Sequence, residues 1–182
     1  MKREFFIILG ILLFLSAGMT SYFYFETELA RALRIMDTLD SMTLTISSTD
    51  RVYIDGNNVN YSFLGESDYF CHFGSDKTDC YDPNGYYINT LEYYSPYPEA
   101  GLGFSRFTNL LEYDWTLVGD SYETGYIDFS QSSIKLKLKI VGNYVVSISF
   151  IHFGDANTWI DCYFTKLNET VVTMPDIVTT GS

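Results

Sequence analysis

The sequence predicts an α+β domain in which an antiparallel sheet packs on two short helices, preceded by one apolar N-terminal helix. Three observations carry this prediction. The stretch from Phe5 to Phe25 holds no charge. The segment Glu26 to Asp40 repeats apolar side chains at helical spacing. From Ser41 onward the period changes to two, and clusters of turn residues separate short apolar runs. A chain of 182 residues suits one domain of ordinary size. Its 23 acidic and 11 basic residues give a formal charge of −12, which argues against a nucleic-acid surface, because phosphate binding needs a basic stripe to displace counterions. An aromatic content of 18% with 4 prolines argues against disorder.

Lys2 and Arg3 precede the apolar stretch. A helix over its 21 residues reaches about 30 Å, the thickness of a bilayer core. A cleaved signal peptide and a retained anchor both fit a basic start and an apolar centre. Tyr22, Phe23, Tyr24 and Phe25 favour the anchor, since aromatics suit the outer interface of a spanning helix. The two basic residues place the N-terminus in the cytoplasm and the rest outside, giving a single-pass protein of the cell membrane. Leu15-Ser16-Ala17-Gly18 resembles a lipoprotein signal, but Met19 stands where the lipidated cysteine belongs, and methionine has no free thiol to carry the lipid.

In the predicted helix Leu29, Ala32, Leu33, Met36 and Leu39 form one stripe, with Thr27 as its cap. The stripe is expected to pack on a sheet. Met42, Leu44 and Ile46 then alternate with Thr43, Thr45 and Ser47. Val52 to Ile54 and Val59 to Phe63 flank Asp55-Gly56-Asn57-Asn58 as a hairpin. Asp68 to Cys71 runs into a turn at Gly74 to Lys77, and Asp82-Pro83-Asn84-Gly85 forms another before Tyr86 to Ile88. Tyr93 to Gly103, with Pro96 and Pro98, reads as a loop. Phe104, Phe107, Leu110 and Leu111 mark a second amphipathic helix ending near Asp114. Strands follow at Trp115 to Val118 and Tyr126 to Phe129. The clearest pair comes next. Ile134, Leu136, Leu138 and Ile140 alternate with lysines, Gly142-Asn143 turns, and Tyr144, Val146, Ile148 and Phe150 return. Further strands are expected at Ile160 to Phe164 and Val171 to Met174. The chain thus divides into an anchor over 1–25, one domain over 26–176 and a tail over 177–182.

This order of elements resembles the LolA/LppX-like group of exported lipid and lipoprotein carriers. Two stretches carry the likeness: Arg51-Val52-Tyr53-Ile54-Asp55-Gly56-Asn57-Asn58-Val59, and Phe164 to Pro175 as a closing strand that ends at a proline. The resemblance implies a curved sheet or half-open β-barrel wrapped around the helices, with an apolar cavity between them for an acyl chain. The chain departs from those relatives at Met19, since they are soluble or lipidated at a cysteine. A carrier fixed in the membrane accepts ligand locally and cannot cross a periplasm.

Chemical sites are sparse. Cys71 and Cys80 flank a turn, and outside the cytoplasm a cross-strand disulfide and two unrelated thiols both remain open. Cys162 reads as a small core residue. With His72 the first two cysteines lack the paired spacing of structural zinc, so no metal site is expected. Asp76, Asp79 and Asp82 recur every three residues, whereas calcium loops place ligands at alternate positions. They read as a solvated turn. His72 and His152 are the only imidazoles, and no nucleophile–base spacing or phosphate-binding glycine loop occurs. Neither an enzyme nor a cofactor is expected. Asn60-Tyr61-Ser62 and Asn168-Glu169-Thr170 match the glycosylation sequon.

Two functions remain. One is a membrane-anchored module binding a lipid or similar apolar ligand between barrel and helices. By residue type Leu33, Met36, Phe104, Phe107 and Leu111 would face Leu136, Leu138, Ile148 and Phe150 across that site. The other is a cell-envelope structural or interaction protein with a filled core and no ligand, its protein partner not specified by the sequence.

Overall fold

The first regular element is helix α1, Glu28–Asp37, in a computed structural model that describes residues 27–46, 48–129, 132–154 and 159–179. The anchor expected over 1–25 lies outside them. Among the described residues no helix is long and apolar enough to cross a membrane. Thr27 caps α1, its Oγ1 accepting from Ala30 N. The helix ends three residues before the expected Asp40, where Thr38 turns its own N–H back to Ile35 and Met36. Leu29, Ala32, Leu33 and Met36 are buried on one face, as an apolar stripe requires.

Eleven strands follow in one antiparallel sheet that does not close on itself: β1 Ser41–Ile46, β2 Asp50–Asp55, β3 Asn58–Ser62, β4 Tyr69–Phe73, β5 Thr78–Tyr81, β6 Tyr87–Leu91, β7 Thr116–Val118, β8 Ser121–Phe129, β9 Ser132–Val141, β10 Tyr144–His152 and β11 Ile160–Thr165. Their order is β6-β5-β4-β3-β2-β1-β11-β10-β9-β8-β7. Two meanders therefore meet where the first and last strands pair, Leu44 opposite Phe164 and Ile46 opposite Cys162. The edges, β6 and β7, stay apart.

One face is covered by α1 and by the crossover between β6 and β7. The expected loop with Pro96 and Pro98 is in fact a short helix, α2, Pro96–Glu99, capped by Ser95. Prolines are tolerated there because first-turn N–H groups have no partner in a helix anyway. The second expected helix is a 3-10 turn, Phe107–Glu112. With three residues per turn, Phe107 and Leu110 both point inward, while Leu111 is 40% exposed. Its N-terminus is tied to the end of α1, since Asp37 accepts from Phe107 N (2.6 Å), Thr108 N (3.1 Å) and Thr108 Oγ1 (2.6 Å).

The hairpin β9–β10 keeps the expected alternation on β9 but not throughout β10. A bulge between Val145 and Ser147 shifts the register. Val145 is buried and Tyr144 is exposed, and the expected pattern resumes at Ile148 opposite Leu138. A second bulge lies between Glu123 and Tyr126, where Thr124 Oγ1 accepts from Leu136 N. That bond keeps the interrupted ladder satisfied.

The expected strand over Val171 to Met174 is absent. β11 already has β1 on one side and β10 on the other, so neither side of β11 is open to the chain that follows it. It crosses the uncovered face instead. Thr170 bonds Thr43 and Ser41, Val172 N donates to Asp55 Oδ2 (3.1 Å), and Val178 N donates to Gly85 O (3.0 Å). At Gly85, whose φ is +82°, an added Cβ would lie 1.8 Å from Asp176 O, so glycine is required where the strap seats.

Candidate functional site

The residues expected to face a ligand come mostly from four elements. Leu33 and Met36 lie on α1, Phe107 on the 3-10 turn, Leu136 and Leu138 on β9, and Ile148 on β10; with Phe104 all are buried in one core. Phe150 is partly buried against it. Leu111 is not part of it, and Leu110 takes that place because of the 3-10 period. The sequence reading also missed Tyr97, which reaches the core from α2. Its position between two prolines is a helix-start signal that the loop composition obscured.

Aromatic rings form the centre of the cover. Phe107 stands 5.0 Å from Tyr97, 5.3 Å from Phe104 and 5.1 Å from Phe164 on β11, centroid to centroid. Edge and tilted contacts at these distances add attraction beyond the area they bury. The Tyr97 hydroxyl lies 3.6 Å from Met42 Sδ, and burial, with Asp37 nearby, pushes its pKa up well beyond the usual tyrosine range.

A cleft of about 340 Å³ opens beside this core at the seam between α1 and the crossover. Met36 and Tyr97 belong to both core and cleft. Asp37, Tyr94, Ser95 and Arg106 contribute polar groups. Asp37 is engaged by the three donors of the 3-10 turn, and Ser95 Oγ accepts from Tyr97 N (3.4 Å).

The remaining candidates have structural occupations. Cys71 and Cys80 stand opposite each other on β4 and β5 and form a disulfide with a Cα separation of 4.1 Å, so of the two alternatives the bridge holds. Cys162 is a free, buried thiol whose pKa burial pushes up to about 12, helped by Asp161, so it stays protonated and inert. His72 Nδ1 pairs with Asn58 Oδ1 (2.9 Å). In the acidic turn Asp82 Oδ1 accepts from Asn84 N and Tyr86 N (both 2.9 Å). Asp79 is held below the usual carboxylate range by hydrogen bonds from Lys77 and Thr90. Among the described residues no group of three or more His, Cys, Asp or Glu is placed to hold a metal. No family model matches the chain, and no curated protein matches it.

Proposed function

We propose that the chain is a membrane-tethered, extracytoplasmic binding domain of the LolA/LppX-like kind, not an enzyme, which takes up a lipid or similar apolar ligand between its helical cover and its sheet. In this reading the sheet is a half-open barrel curved around the cover. The observation that carries it is the construction of that cover. α1, α2 and the 3-10 turn rest on the apolar face chiefly through side chains, and tyrosine hydroxyls make bonds from them to the strands, of which that of Tyr122 lies at the surface and those of Tyr61 and Tyr97 lie further in. These include Tyr61 OH to Pro96 O (3.3 Å), Tyr97 OH to Met42 Sδ (3.6 Å) and Tyr122 OH to Glu28 Oε2 (3.2 Å). A layer held this way can lift as a unit, because apolar contacts are non-directional and an acyl chain replaces them in kind. Each methylene so buried contributes about 0.8 kcal/mol before ordering costs.

The full burial of Leu33, Phe107, Leu138 and Ile148 in one core favours a second reading. It is a closed-core interaction domain that meets a cell-envelope partner. Native mass spectrometry of the full chain, exported and extracted in a mild uncharged detergent, separates the two. A co-purified lipid at defined stoichiometry supports the carrier-like domain. Preparations free of lipid and unable to acquire it support the closed core.

A further inference from the structure

The cleft beside Met36 has a chemistry that the apolar interior lacks, and its ligand class follows from its donors. Arg106 is exposed at the cleft, and among the described residues no carboxylate pairs with it. In a chain with a formal charge of −12, a guanidinium left unneutralised beside a concavity gives an anion a place to bind. Tyr94, 68% exposed, supplies a phenol on the same rim. Ser95 accepts through Oγ from Tyr97 N, which leaves its hydroxyl proton to donate. The one lining carboxylate, Asp37, spends most of its acceptor capacity on Phe107 N and on the amide and hydroxyl of Thr108. What faces an incoming group is therefore rich in donors. The inner wall is Met36 and Tyr97, both buried members of the core.

We infer that this cleft is the headgroup end of the ligand site. It takes a phosphate or carboxylate at Arg106, on a single-chain amphiphile whose tail passes Met36 and Tyr97 to lie between α1 and the sheet. The inference rests on the binding-domain reading above. A guanidinium suits this task, because its planar fork grips two oxygens of one anion while the apolar tail supplies the remaining affinity. Asp37, which ends α1 and accepts from the start of the 3-10 turn, lines the cleft and disfavours a dianion set deeply within it, so the headgroup sits at the rim.

The test is native mass spectrometry of the full chain in octyl glucoside, titrated separately with monododecyl phosphate, inorganic phosphate and dodecyl maltoside. Wild type should bind monododecyl phosphate at one per chain, and Arg106→Gln should weaken this roughly tenfold or more, the scale of one charge-assisted hydrogen bond. Arg106→Lys should recover part of the loss. Dodecyl maltoside should bind weakly and equally to all three proteins. Equal monododecyl phosphate binding by wild type and Arg106→Gln would overturn the headgroup assignment while leaving the apolar site standing. Inorganic phosphate binding as tightly as the amphiphile, with the same dependence on Arg106, would overturn the lipid source in favour of a free anion. Absence of any amphiphile adduct on wild type would overturn the binding-domain reading and this inference with it.

Discussion

Replacing Phe107 by alanine removes the ring that joins the cover to the sheet. Phe107 is fully buried, and it meets Tyr97 and Phe104 from the crossover and Phe164 from β11 at 5.0 to 5.3 Å. Its backbone N–H bond to Asp37 (2.6 Å) does not involve the side chain and survives the substitution. The loss is therefore one of transfer free energy and of a cavity that three ring neighbours cannot collapse into, about 3–5 kcal/mol. For a domain of this size that corresponds to a fall in Tm of roughly 6–20 °C. Urea unfolding followed by tryptophan fluorescence and by far-UV circular dichroism measures it, with the m value checked for constancy. A loss below about 1 kcal/mol at unchanged m would refute the packing argument, because a ring truly enclosed cannot be removed so cheaply.

Further perturbations probe the disulfide, the C-terminal strap, the acid response and the N-terminal segment. Alkylation of exported protein without reductant should find one free thiol, Cys162, reactive only after unfolding; Cys71→Ala with Cys80→Ala should cost about 2–3 kcal/mol on the chain-entropy view of a short loop, and three reactive thiols would reject the bridge. Gly85→Ala should unseat the C-terminal strap, because its Cβ would collide with Asp176 O, and limited proteolysis within 173–179 should accelerate while the sheet stays intact. Glu123 is held below its ordinary pKa of 4.5 chiefly by the hydrogen bond from Lys135 (2.6 Å). Its stabilising effect is thus complete above that ordinary value and is lost as pH falls through the depressed one. Denaturation midpoints measured from pH 6 to pH 2.5 should fall less steeply for Glu123→Gln than for wild type, and parallel curves would remove Glu123 from the acid response. The full-length chain should stay with membranes through alkaline carbonate washing, as a retained helix over 5–25 requires; a soluble species beginning near Met19 would indicate cleavage instead.

Elements whose pattern is local and repetitive were legible in the sequence. Leu136 and Leu138 alternate with lysines on β9 because one face is covered and the other is solvated. The stripe on α1 and its Thr27 cap follow from helical geometry alone. The hairpin at Gly56 and the turn at Asp82 to Gly85 follow from dihedral preferences. What escaped depends on partners distant in the chain. Val171 to Met174 has strand-like composition, but whether it pairs is decided by β10 already occupying the free side of β11. The bulge at Val145 changes which face a residue takes without altering composition. Leu110 and Leu111 are equally apolar, and only the 3-10 period selects the inward one. The cleft escaped for the same reason, since Met36, Tyr97 and Arg106 come together only when the crossover folds back on α1.

Ligand entry in the proposed reading requires the cover to separate from the sheet. Native-state amide hydrogen exchange across residues 28–37, compared with β1, β10 and β11, measures that separation. The amides of α1 should open at a clearly lower free energy than those of the three strands, and monododecyl phosphate should slow them selectively. Exchange of α1 only through global unfolding, at the free energy of the central strands and unchanged by the amphiphile, would contradict that reading.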